Sequence, residues 1–201
     1  MNNLTFKAMV DNQEKELTVL RPTFAHQREG QKVYNTAFND AVKSGAMLKI
    51  QLDDFMKKQG VWNEDKQKEL FDISTKILAN EEVLEKGGVK LSKAVEAAKE
   101  LKFELRAKMR SLLSERYSLE QHTAESQADD ARFNYWVSAC LVYTDSKKPV
   151  FKDLDDYYSK SNEDYAVVGA QKLMKLQYGL DEDPESSLTE NKFLREFKLA
   201  D

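Results

Sequence analysis

Two histidines and one cysteine are the side chains of this 201-residue chain that could support nucleophilic catalysis or ligate a transition metal. His26 and His122 stand far apart, with no second histidine or cysteine at helical spacing. Cys140 follows Trp136 and Ala139, and a free cysteine in such apolar company usually packs as a small buried residue. Because these residues do not assemble a nucleophile, a base and an orienting group, we predict no catalytic residue and no enzymatic activity.

Two other sequence features could bind a ligand. Residues 87–92 (GGVKLS) lack the Gly-Lys-Ser ending of a phosphate-binding loop and follow a predicted helix, so we interpret them as a helix end and a turn. The acidic clusters at 153–156 and 181–185 lack the glycine and the distal glutamate of a calcium-binding loop. We therefore predict no cofactor and no metal site.

The charge balance argues against a general nucleic-acid-binding protein. The net charge is −4, and residues 123–201 carry 10 basic against 16 acidic side chains, whereas nucleic-acid affinity depends on clustered Lys and Arg. One cysteine excludes an internal disulfide framework. The start of the chain is not signal-like and no apolar run reaches membrane length, so we expect a cytoplasmic protein without membrane association.

The first twenty residues predict a β-hairpin, because apolar side chains recur at every second position of its first strand: Leu4, Phe6, Ala8 and Val10. Residues 11–13 form a turn signal and residues 17–20 read as the returning strand. A lone hairpin is marginally stable in water and leaves unpaired backbone groups on both outer edges. We expect residues 1–21 to be an assembly arm whose apolar row is covered by a partner or by the helices. Its open edge would accept a strand from another copy or from a partner protein, and its deletion should leave a folded helical body.

From Phe24 onward, apolar residues recur with helical periodicity. Gly45 is expected to break or kink the first helix, and helices at 64–86 and 92–117 should form a long antiparallel hairpin. An aromatic-rich helix is predicted at 124–143, followed by shorter helices. The predicted fold class is mainly α, with the β-hairpin followed by a bundle of six or seven helices. We expect a single domain over 1–201, with a long-helix region at 24–122 and an aromatic-rich, acidic helical region at 123–201.

A basic stripe is predicted on the helix 92–117, where Lys99, Lys102, Arg106 and Arg110 fall within an arc of about 60° at 100° per residue. Like charges four residues apart repel each other, so the stripe calls for acidic partners. These are either the acids of the helix 64–86, which we favour, or an external acidic surface or nucleic acid. The candidate partner-binding residues are Leu4, Phe6, Ala8, Val10, Lys102, Arg106 and Arg110.

Several stretches resemble small tail-assembly proteins of tailed bacteriophages: the hairpin that ends in Arg-Pro-Thr at 21–23, and residues 33–38 (VYNTAF), 131–140 (ARFNYWVSAC) and 191–197 (NKFLREF). The resemblance implies a non-catalytic morphogenesis protein. As a tail assembly chaperone it would keep the tape-measure protein soluble and bind other phage structural or assembly proteins in the host cytoplasm, with a homo-oligomer left open. Its binding mode would be a helix in an apolar groove.

Two alternatives stay open. The first is a structural component of the virion, at the neck, tail or capsid, that assembles through its hairpin. The second is a nucleic-acid-handling protein that uses the basic stripe, which the acidity of the remaining chain disfavours.

Overall fold

The computed structural model describes residues 3–179 and 183–199, and most of them are helical. The strands are β1 (Leu4–Val10), β2 (Gln13–Val19) and β3 (Leu141–Tyr143). The helices are α1 (Phe24–Lys43), α2 (Lys49–Gln59), α3 (Glu64–Lys86), α4 (Leu91–Glu100), a π-helical segment (Leu101–Leu105), α5 (Arg106–Glu120), α6 (Ala124–Cys140), α7 (Leu154–Lys160), α8 (Asp164–Tyr178), α9 (Pro184–Ser187) and α10 (Thr189–Glu196). The predicted mainly α class with an N-terminal hairpin is confirmed. None of the described helices is long and apolar enough to cross a membrane.

Contacts divide the chain into two compact units. Unit 1 comprises the described residues of Met1–Leu48 and Thr123–Glu182, and unit 2 those of Lys49–His122 and Asp183–Asp201. This division cuts across the three regions expected from the sequence. The hairpin and α1 belong with the aromatic-rich segment, whereas the two last helices belong with the long helices.

The sheet of unit 1 has three antiparallel strands in the order β1-β2-β3. Asp11 and Asn12 join β1 to β2 with φ angles of 49° and 60°, as a two-residue type I′ turn requires. The predicted end of the aromatic-rich helix at Tyr143 is wrong. Helix α6 ends at Cys140, and the chain continues as β3, which pairs with β2. The far edge of β3 is covered by the following loop, where the Tyr143 amide donates to the carbonyl of Lys148 at 2.9 Å.

The hairpin contributes to the hydrophobic core of unit 1. Leu17 and Val19 of β2 are fully buried, and Val10 is buried while the other members of the β1 apolar row pack partly buried against the same core. The hairpin is therefore not a projecting arm, and the core of unit 1 covers its apolar row. This corrects the expected effect of deleting residues 1–20: the deletion removes core side chains, so we expect unit 1 to lose its fold.

Helix α6 is central to unit 1 because it packs closely against α1. The indole nitrogen of Trp136 donates to the His26 carbonyl at 3.3 Å. A Cβ at Gly30 would lie 2.6 Å from the same indole nitrogen, so only glycine permits this approach. The guanidinium carbon of Arg132 lies 5.3 Å from the Trp136 ring and 5.0 Å from that of Tyr34.

Unit 2 is built on the predicted antiparallel helix pair. Helix α3 has the predicted bounds, with the Asn63 side chain accepting from the Lys66 amide at its start and Gly87 after its end. It runs antiparallel to the helix that α4, the π-helical segment and α5 form together, since Asn80 donates to Glu100 at 2.9 Å and Lys66 bonds to Glu115. Between the helices lies a core of Met56, Trp62, Ile73, Ile77, Leu101, Leu105 and Leu112.

Candidate functional site

The structure brings together two residues that lie far apart in the sequence, His26 and Cys140. The sulfur of Cys140, the last residue of α6, lies 3.4 Å from Nδ1 of His26 in the first turn of α1. Thr23 fixes this histidine: its hydroxyl accepts from the His26 amide at 3.3 Å, and its own amide donates to Nδ1 at 3.4 Å. Because the two residues lie 114 positions apart in the chain, the sequence holds no local signal for the contact.

The chemistry of this pair does not fit a nucleophile. Cys140 is fully buried, and burial raises the pKa of its thiol to about 12. The thiolate is the reactive form of cysteine, and here it is disfavoured by the loss of water. His26 Nδ1 already accepts a hydrogen bond from the Thr23 amide. The pair therefore fits a structural contact between α1 and α6.

The acidic clusters have local structural roles where they are described. Asp153 caps α7 by accepting from the Asp156 amide at 2.8 Å. A hydrogen bond from Lys160 lowers the pKa of Asp156. In the second cluster, residues 181 and 182 lie outside the described residues, and Asp183 caps α9. Within residues 3–179 and 183–199, no group of three or more His, Cys, Asp or Glu side chains is placed to hold a metal ion.

Arg106 of the predicted basic stripe is enclosed by two carboxylates. Its Nε and Nη2 lie 3.0 and 3.3 Å from the two carboxylate oxygens of Glu190 on α10, and Nη2 also bonds to Glu81 on α3. Glu190 is fully buried. Burial acts to lower the pKa of Arg106, but the hydrogen bonds with both glutamates outweigh it and the pKa is raised. Pairing with α3 was expected, whereas Glu190 was missed because it lies 84 residues away.

The other two candidate partner-binding residues of the stripe, Lys102 and Arg110, lie in different surroundings. The expected pairing of Arg110 with an acid of α3 is wrong: Arg110 pairs with Glu185 of α9 at 3.0 Å, and both side chains are more than 60% exposed. The ammonium of Lys102 lies 5.4 Å from the ring of Phe103. Lys102 lies in the π-helical segment, whose wider turn breaks the uniform 100° spacing from which the stripe was predicted, whereas Arg106 and Arg110 both lie in α5. The three residues do not form a shared basic surface.

The outer edge of β1 offers unpaired main-chain groups. In a hairpin with a two-residue turn, the flanking residues Val10 and Gln13 exchange both hydrogen bonds, and bonded pairs then alternate along the strands. The backbone groups of Thr5, Lys7 and Met9 therefore point away from β2. No described strand pairs with β1 on that side, and these three side chains are exposed. The prediction that both outer edges of the hairpin are open is wrong, since β3 pairs with the outer edge of β2 at residues 17–19.

The chain matches no protein-family model, and comparison with curated proteins and solved structures found no significant similarity. Its function is therefore inferred from the residues and the geometry described above.

The buried ion pair and the exposed one make a matched test of the basic residues. Arg106→Ala leaves the carboxylate of Glu190 buried without its partner, so we expect the free energy of unfolding to fall by about 3 kcal/mol. Arg110→Ala removes a solvent-exposed pair and should cost less than about 1 kcal/mol. Urea denaturation of both variants measures the difference. Equal losses would contradict the assignment of Arg106 to a buried structural cluster.

The thiol provides a second test. With its pKa raised to about 12, Cys140 stays protonated at pH 8 and is shielded from solvent. We expect an aromatic disulfide reagent to react slowly with the folded protein and rapidly in urea. Reaction of the native protein at the rate of a free model thiol would mean an accessible, ionised cysteine and would reopen a catalytic role.

Proposed function

We propose that this protein is a non-catalytic assembly protein of bacteriophage tail morphogenesis, acting as a tail assembly chaperone. In this proposal it binds an extended segment of another tail protein along the outer edge of β1. The phage role rests on the resemblance of several stretches of the chain to tail-assembly proteins of tailed bacteriophages. The observation that carries the binding mode is that edge, where Thr5, Lys7 and Met9 direct backbone donors and acceptors away from β2. The proposed binding mode is strand addition, in place of the helix-in-groove mode that the resemblance implies.

The shape of β1 supports this role. It is a seven-residue strand that pairs with β2 at every position without a bulge, and it contains no proline. Natural edge strands are usually blunted by prolines, bulges or charges, and here Lys7 is the single charged side chain along the strand. A strand of this length offers a partner a regular row of main-chain hydrogen bonds, with little dependence on the partner's sequence.

The remaining chemistry is consistent with binding and not with catalysis. The Cys140 thiol is protonated and buried, and Arg106 is neutralised by two glutamates. A nucleic-acid-handling role would need free cations, since phosphate contacts dominate such affinity, so the pairing of Arg106 and Arg110 weakens that alternative. A structural component of the virion could use the same edge. Detection of this protein in purified virions would favour that role over the role of a chaperone.

A proline at position 7 tests the edge without disturbing the hairpin. The Lys7 amide points outward, so Lys7→Pro removes a donor from the open edge while every β1–β2 hydrogen bond is kept. We expect Lys7→Pro to lose co-purification with a co-expressed tape-measure protein and to leave that protein insoluble. Lys7→Ala, which removes the same charge but keeps the amide, should behave like the natural protein.

The result is interpreted together with the circular dichroism and the melting temperature of each variant. A folded Lys7→Pro variant that still binds the tape-measure protein with unchanged affinity would exclude the β1 edge as the binding site.

A further inference from the structure

The side of α3 that faces away from the unit 2 core carries a regular row of residues. Their spacing of four and three residues places them within an arc of about 80° at 100° per residue. We call this set the α3 outer row: Glu64, Lys68, Phe71, Thr75, Leu78, Glu82 and Lys86. All seven are exposed, whereas Ile73 and Ile77 on the opposite side are buried.

The centre of the α3 outer row is apolar and open to solvent. Phe71 is 69% exposed and Leu78 is 64% exposed. Between them, the hydroxyl of Thr75 donates to the Phe71 carbonyl at 3.0 Å, so its polar group is satisfied within the helix. The centre of the row therefore combines an aromatic ring, a leucine and the methyl group of a threonine. Removal of these apolar groups from water is favourable.

The charges of the α3 outer row are arranged to match a second α3 in the opposite direction. Lys68 lies before the apolar centre and Glu82 after it, and Glu64 and Lys86 occupy the two ends. Within one helix Lys86 bonds to Glu82, and both side chains are exposed and can also reach a second copy. In an antiparallel pair centred near Thr75, Lys68 meets Glu82 of the second copy, and Glu64 meets its Lys86. A parallel pair would instead oppose like charges at every one of these positions. Among pairs without a stagger between the two helices, the row is thus complementary to itself in the antiparallel orientation.

We propose that the α3 outer row is a homodimer interface, occupied by α3 of a second copy of this chain in antiparallel orientation. The 23 residues of α3 give it a length of about 35 Å, enough for all seven residues of the row to take part. Phe71 of each copy packs against Leu78 of the other. The ion pairs fix the orientation, because exposed pairs contribute little affinity of their own. This interface is separate from the β1 edge and does not depend on the proposed function.

The apolar centre is tested by truncation of its aromatic residue. In a sedimentation-equilibrium series of the full chain, we expect a reversible dimer that Phe71→Ala weakens by about tenfold or more, because buried aromatic anchors dominate interface affinity. Phe103→Ala is the matched control, since Phe103 is 66% exposed but belongs to the π-helical segment. It should leave the dimer unchanged. A chain that stays monomeric up to millimolar concentration would overturn the proposal.

The orientation is tested by charge reversal. Lys68→Glu and Glu82→Lys should each weaken self-association, because each variant opposes like charges across the two-fold axis. An equimolar mixture of the two variants should associate again, since every pair is then of opposite charge, and the double variant Lys68→Glu/Glu82→Lys should do the same. Circular dichroism verifies that each variant is helical. The antiparallel α3 interface would be excluded if neither charge reversal changed the dimer dissociation constant, or if the mixture of the two variants did not associate.

The same measurements in a Lys7→Pro background separate this interface from the β1 edge. We expect the dimer to persist there, because α3 and β1 belong to different units. Loss of the dimer in Lys7→Pro would assign self-association to the edge and overturn the α3 proposal.

Discussion

The pairing of β2 on both of its sides is the constraint on which unit 1 depends. β2 joins β1 through the hairpin and β3 through residues 17–19, which places Leu17 and Val19 in the middle of the core. Since the loop after β3 covers the far edge of that strand, the opposite edge, on β1, is the one that the described residues leave open. The same pairing that stabilises the sheet thus determines which strand can accept a partner.

Local patterns in the sequence predicted the elements whose signals are local. Alternating apolar residues gave the hairpin, and Asn63 with the glycine pair at 87–88 bounded α3 correctly. The break near Gly45 was also predicted, and α1 ends at Lys43. In each of these cases the deciding residues lie within a few positions of the feature, so the backbone preference of one or two side chains is enough.

Features that depend on distant residues could not be predicted. Strand β3 has three residues, too few to show a period of two, and it forms because β2 offers an edge. The contact of Cys140 with His26 and that of Arg106 with Glu190 join residues about one hundred positions apart. The π-helical segment could not be predicted from hydrophobic periodicity, yet it changes the angular spacing between Lys102 and the arginines of α5.

The open edge of β1 is tested most directly by the hydrogen exchange of its backbone amides. The account predicts that, in the isolated protein, the amides of Phe6 and Ala8 are protected by β2 while those of Thr5, Lys7 and Met9 exchange near the rate of an unstructured chain. When a tail protein is added and binds, the amides of Thr5, Lys7 and Met9 should become protected as well. Equal protection of all five amides in the isolated protein would show that the edge is already covered, and would contradict the account.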